Sequence, residues 1–147
     1  MLFVLKYNTF MKNPMKKYKT LTSALKSVGF DIELPKRYKL KEIYVIADKI
    51  LELRYSTVIV RKAKYNKNIQ GLNGISGVYQ GAYPNDCNKG DFEKPGIKGN
   101  EYWNGSAKNP KAYLAVWDDL NHKYSYSVYA PKGIKLISMD IWQKNLK

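Results

Sequence analysis

The sequence predicts an α+β fold: an antiparallel β-sheet with a short N-terminal helix and a C-terminal helix packed on it. Three observations predict it. Runs of β-branched and aromatic residues recur at 38–48, 50–55, 57–63, 111–118 and 123–130, the composition that suits a pleated, half-buried surface. Several of these runs are separated by very short connections, Asp48-Lys49, Ser56-Thr57 and residues 119–122, which leave room for hairpins but not for crossovers. Two other segments place apolar residues at helical spacing instead.

The first element is a helix over 21–28. Leu21, Ala24, Leu25 and Val28 fall at i, i+3, i+4 and i+7 and make one apolar stripe. Thr20 is placed to cap its start, and Gly29 follows as the residue that adopts a left-handed conformation at no steric cost. Pro35 marks the end of the linker that comes next. In the first strand run, Ile43, Val45 and Ala47 alternate with Leu40, Tyr44 and Ile46. Two further runs follow through the turns at Asp48-Lys49 and Ser56-Thr57, so the reading is an antiparallel meander.

From 64 to 110 the pattern dissolves into glycine, proline and polar residues. A structureless stretch of that length is uncommon in a compact domain, and short strands are expected at 77–79 and 97–103. Order returns with a hairpin of 111–118 and 123–130. Ala112, Leu114 and Val116 are expected on one face of its first strand, and Tyr124, Tyr126 and Val128 on one face of its second. The other face carries Tyr113, Ala115, Trp117, Ser125, Ser127 and Tyr129. Pro131 and Gly133 are expected to break the second strand. A terminal helix then runs from 135 to 145, with Ile134, Ile137 and Ile141 marking its apolar side and Trp142 and Leu146 widening it.

Composition bounds the rest. The 147 residues are 44% hydrophobic with a mean hydropathy of −0.51, the balance of a folded water-facing chain rather than a disordered one. A single domain is expected over 20–147, preceded over 1–19 by a loosely ordered arm with five Lys and no acid. The apolar run at 1–5 is too short for a membrane span and lacks the flanks of a signal peptide. One cysteine, Cys87, allows no internal disulfide.

The net charge is +14, and it is unevenly distributed. Residues 6–67 hold 16 basic and 5 acidic side chains, a net of +11, whereas 68–147 hold 10 and 7, a net of +3. Such a chain attracts anionic partners and repels its own copies.

The order and spacing of several segments resemble a family of unknown function found in exported and lipoprotein-like proteins of Gram-positive bacteria. The segments are YKTLTSALKSVGF at 18–30, LPKRYKLKEIYVIADKILELRY at 34–55, RKA at 61–63, ISG at 75–77, YLAVW at 113–117 and YSYSV at 124–128. The resemblance implies an α+β domain with an antiparallel sheet, held outside the cytoplasmic membrane. It implies no catalytic residues. The chain departs from the family's pattern in lacking a leader or lipidated cysteine, in its short Ser56-Thr57 turn, and in the stretch from 79 to 99, which reads as an insertion.

Catalytic chemistry finds little to build on. His122 is the only histidine and stands near Asp118, Asp119, Ser125 and Ser127, but a solvated turn explains it as well as an acid–base pair does. Cys87 could act as a nucleophile with His122 as a distant base, but residues 85–90 read as an irregular loop, and a plain loop thiol explains it. Asp86, Asn88, Asp91 and Glu93 offer oxygens at close spacing but miss the calcium-loop pattern. No phosphate loop or dinucleotide fingerprint is present, and no cofactor or metal is expected.

The basic half is the functional candidate: Lys36, Arg37, Lys39, Arg54, Arg61 and Lys62, interleaved with Tyr44 and Tyr55. The function expected is a non-enzymatic extracytoplasmic interaction module whose basic surface takes anionic lipid or cell-wall polymer. The alternative is a protein that binds single-stranded nucleic acid, where tyrosines would stack on bases and cations meet phosphates. The aromatic face of the C-terminal hairpin is a second candidate, with cover by the terminal helix as its structural explanation.

Overall fold

The structure, a computed structural model, describes residues 14–66, 75–78, 82–84, 86–91, 94–105 and 108–147. One antiparallel sheet of eight strands dominates it. The strands are β1 (Met15–Tyr18), β2 (Glu42–Ile46), β3 (Ile50–Arg54), β4 (Ile59–Lys64), β5 (Asn88–Asp91), β6 (Ile97–Asn104), β7 (Lys111–Asp119) and β8 (Tyr124–Lys135). Their order across the sheet is β1-β2-β3-β4-β8-β7-β6-β5. Two runs of sequential neighbours thus meet where β4 pairs with β8. Two helices, α1 (Leu21–Val28) and α2 (Leu136–Asn145), pack on one face.

The short connections form, the first of them starting one residue before the predicted Asp48-Lys49. Ala47 and Asp48 both take positive φ and the Lys49 N–H reaches the Ile46 carbonyl at 3.0 Å, as in the primed turns that match strand twist. Tyr55 and Val58 close the Ser56-Thr57 turn at 2.9 Å. Thr20 Oγ1 accepts from Ser23 N–H at 3.2 Å at the start of α1. Gly29 ends that helix at φ +78°, its N–H on the Leu25 carbonyl at 2.9 Å.

Alternation then divides the sheet into two faces. Val45, Leu51, Leu53, Val60, Ala115, Trp117, Tyr126 and Val128 point to the helices and bury with Ala24, Val28, Met139, Trp142 and Leu146. Trp142 anchors α2: Tyr38 stacks on it with ring centroids 4.9 Å apart, and Tyr55 meets it edge-on at 4.9 Å. The opposite face has its own smaller core of Val78, Tyr102, Leu114 and Val116, with Tyr83 and Cys87 packed against it. The Tyr129 hydroxyl donates to the Ala82 carbonyl at 3.0 Å. Part of the stretch without a sequence pattern is therefore the cover of the second face.

Several expectations are corrected. Residues 15–18 of the supposed loose arm form an edge strand on β2, and residues 1–13 lie outside the described residues. The first strand run shortens to Glu42–Ile46, and Ala47 belongs to the turn. Pro131 and Gly133 do not end β8. Ala112 faces Ile134 and Leu114 faces Tyr129, so residues 130–133 bulge opposite Tyr113, and the ladder resumes once Gly133 takes φ +76°. The hairpin register also differs by one residue from the expected faces. Trp117 pairs with Tyr126 rather than with a serine, so Trp117 and Tyr129 lie on opposite faces. In α2 the buried side is Met139 and Trp142, while Ile137 is 68% exposed. Gly77 and Val78 are not in a strand, Tyr79 lies outside the described residues, and β5 has no sequence signal.

Candidate functional site

The eight residues singled out in the basic half do not share a surface. Arg61 and Lys62 are consecutive on β4, so they must point to opposite faces. Lys62 goes to the helix side and is 4% exposed. Arg61 goes to the other side, where Nε and Nη2 reach Glu52 Oε1 at 2.8 Å and Nη1 donates to the Ile75 carbonyl at 3.0 Å. It runs beneath Gly77, where any Cβ would lie 2.6 Å from Nη1.

Arg54 joins the same cluster. Its Nε donates to Glu52 Oε2 at 2.8 Å, and its guanidinium lies 4.3 Å from the Tyr44 ring centre. Tyr44 in turn donates to Glu42 Oε2, which Lys17 approaches at 3.6 Å. That bond holds the Glu42 carboxyl below its ordinary range and the Tyr44 phenol above its own. The result is a ladder of alternating charge across β1–β4. It satisfies Glu52, which is only 2% exposed, and it leaves Arg54 and Arg61 committed to their own chain. Tyr55 is buried against Trp142. Lys36 and Arg37 are exposed in the linker before β2, beside Ile141 and Asn145 of α2.

What the sequence did not single out is the end of the sheet where β3 turns into β4. Lys41 and Lys132 line one cavity of about 330 Å³ there, together with the Ser56-Thr57 turn and Gly133. Lys111 and Lys135 sit directly opposite each other on β7 and β8, a pairing of like charges that costs stability when nothing neutral or negative separates them. Lys19, Lys39 and Lys108 adjoin the same end along the chain. All seven lysines are exposed. None makes an ion pair with another described residue. Glu42, next to Lys41 in the chain, is engaged by Tyr44, and Asp86 by Asn104 at 3.4 Å. Asp31, Glu33, Asp48, Asp118 and Asp119 lie toward the opposite end. The signal that could have located this rim is positional: each lysine flanks a strand end or a turn of the same polarity.

The other candidates take simple places. His122 is in the β7–β8 turn, its Nδ1 2.8 Å from Asp119 Oδ2. Asp119 Oδ1 also accepts the N–H groups of Asn121 and His122 at 3.1 and 3.0 Å. Partial burial works against ionisation of Asp119, but these bonds hold its carboxyl below the ordinary range. Ser125 and Ser127 face the other side of the sheet, and Ser125 donates to Asp118 at 2.5 Å. The Cys87 thiol is raised above its ordinary pKa by burial and by the charge of Asp86. Among the described residues no three His, Cys, Asp or Glu side chains converge as a metal site, and no helix is long and apolar enough to cross a membrane. Glu93 lies outside the described residues.

No family model, curated protein or solved structure matches the chain.

Proposed function

We propose that this chain is a non-enzymatic interaction module whose lysine-rich sheet end binds an extended anionic polymer of the cell envelope. The observation that carries this reading is a local surplus of cations at one sheet end, while Asp31, Glu33, Asp48, Asp118 and Asp119 lie toward the other. Seven exposed lysines gather at one end with no ion partner among the described residues, while the Arg54 and Arg61 guanidinium groups are consumed internally. Neighbouring strands are about 5 Å apart, so the strand ends present cations in a row rather than as a single pocket. Long flexible lysines follow a repeating anion without demanding a fixed geometry.

The same end favours a polymer that needs no stacking over single-stranded nucleic acid. Base stacking requires open aromatic faces. Tyr38 and Tyr55 are spent on Trp142, and the Tyr44 ring is covered by Arg54. An extracytoplasmic location rests on the family resemblance alone. Anionic lipid offers the same charge as wall polymer, so vesicles belong in the test.

The test is titration with poly(glycerol phosphate), with phosphatidylglycerol vesicles and with oligo(dT) at about 0.15 M salt, where the screening length is about 8 Å. The polymer is expected to bind most tightly, and the triple charge reversal Lys41→Glu, Lys111→Glu, Lys132→Glu to abolish it. Tighter binding of oligo(dT) that is lost in Tyr44→Ala would establish the nucleic-acid alternative instead.

A further inference from the structure

At the opposite end of the sheet, on the helix side, lies a cleft of about 460 Å³ beyond the end of α2. Its walls include Ile97, Trp117 and Leu146, and Lys62, Tyr124 and Tyr126 reach it from β4 and β8. Trp117 and Tyr126 are stacked with centroids 5.3 Å apart and rings 16° from parallel.

Lys62 is the unusual group. Its ammonium lies 4.2 Å from the Tyr124 ring centre, 5.3 Å from Phe30 and 5.5 Å from Tyr126. It makes one hydrogen bond, to the Asp31 carbonyl at 2.6 Å, and no ion pair among the described residues. An ammonium has three donors, so two remain. The Tyr126 hydroxyl has no hydrogen-bond partner among the described residues either. Burying a lysine cation without a carboxylate costs stability that a methionine of similar shape would not. Desolvation accordingly pulls the Lys62 pKa down, while the more distant charges of Asp31, Glu33 and Asp119 pull it back up.

Those acids do not close the site. Asp119 is occupied by the His122 ring and two turn N–H groups, and Glu33 is exposed at the margin. Asp31 Oδ1 accepts from the Ile32 N–H at 3.0 Å. What remains is a buried cation and a phenol beside an apolar wall of Ile97, Trp117 and Leu146, in a cleft whose rim also carries Asn121, His122, Gln143 and Lys147, a make-up that suits a small ligand with one charged group.

We propose that this cleft binds a small organic anion, a carboxylate on a flat apolar ring. The carboxylate meets Lys62 and the Tyr126 hydroxyl, and the ring lies against Ile97, Trp117 and Leu146. The site is separate from the lysine-rich end, so the two readings fail independently.

Three probes with one skeleton test it: indole-3-propionate, its neutral amide and zwitterionic tryptophan, titrated by calorimetry and by amide chemical shifts. The propionate is expected to bind with Kd below about 1 mM and the amide at least roughly tenfold more weakly. Lys62→Met is expected to lose propionate binding at least roughly tenfold while its melting temperature is unchanged or higher. Tyr126→Phe is expected to weaken the propionate and leave the amide unaffected. Equal binding of propionate and amide, or no binding of the propionate to the wild type, would overturn the proposal. Tryptophan binding more tightly than the propionate would also overturn it, since Glu33 and Asp119 would then set the preference. Should Lys62→Met not fold, the comparison of the three probes on the wild type still decides.

Discussion

Glu101 is the residue whose titration reports most directly on folding. It stands on the helix side of β6, opposite Ala115, with Asp140 and Gln143 of α2 near it. Its Oε1 is buried without a hydrogen-bond partner. Burial first, and the charge of Asp140 second, raise its pKa to about 7; the nearby Gln143 amide offsets this a little without a well-formed hydrogen bond. A carboxyl raised in the folded state favours folding below its unfolded pKa, near 4.3. That stability is lost as pH rises through the folded value. Stability should therefore fall between about pH 4.3 and 7 and level off above that. The group is only partly buried, so the change is on the order of 1 kcal/mol after solvent screening. Denaturant midpoints of wild type and Glu101→Gln check this: the variant should show a flatter profile over that range and higher stability at about pH 8. Gly29 makes a second prediction. A Cβ there would meet nothing within 4 Å, so Gly29→Ala isolates the strain of φ +78° and should cost about 1 kcal/mol in urea unfolding.

Among the elements, α2 separates legible from illegible sequence most clearly. Trp142 is 1% exposed and Ile137 68%. Trp142→Ala should cost about 3–5 kcal/mol and Ile137→Ala less than about 0.5 kcal/mol, a contrast that thermal melts of the two variants resolve. The sequence marks the helix, because Ile134, Ile137, Ile141, Trp142 and Leu146 recur at helical intervals. It does not mark the buried side, because apolar residues surround much of the helix and the strand before it sets the phase. That strand carries the bulge opposite Tyr113 just before its last two residues, and a bulge of that size shifts everything after it. The pairing of Trp117 with Tyr126 lies on the turn side of that bulge and is set by the connection after Asp119. By contrast α1 is fully legible, since its cap, stripe and glycine stop are all local. So is the turn at Ser56-Thr57, where chain length alone forces the geometry, whereas the turn before it also takes in Ala47, which the strand-like alternation assigns to β2. β5 and the cover over the second face escape sequence reading because Asn88, Lys89 and Gly90 have no strand preference of their own and pair only because β6 is there.

For the molecule as a whole, the composition shows a surplus of cations but not which of them are available. Sequence proximity placed Arg54, Arg61 and Lys62 together. The period of a strand separates Arg61 from Lys62, and Glu52 removes both arginines from solvent chemistry. The lysines gathered at the end where β3 turns into β4 come from segments distant in sequence, Lys41, Lys111, Lys132 and Lys135, and only the strand order assembles them. If that end binds a polyanion by charge, the logarithm of the binding constant should fall linearly with the logarithm of salt concentration. Each lysine removed from the contact should then reduce the slope by roughly one unit or less. Lys132→Gln and Lys111→Gln should each do so against poly(glycerol phosphate), and their combination should add because the two side chains contact different parts of the polymer. Arg54→Gln should leave the slope unchanged and lower the melting temperature, because its charge is balanced by buried Glu52. A reduced slope for Arg54→Gln with no change for the two lysine variants would move the binding surface to the charge ladder on the other side of the sheet. The salt titration thus assigns the contact to strand ends or to strand face, two places that the same net charge of +14 fits equally well.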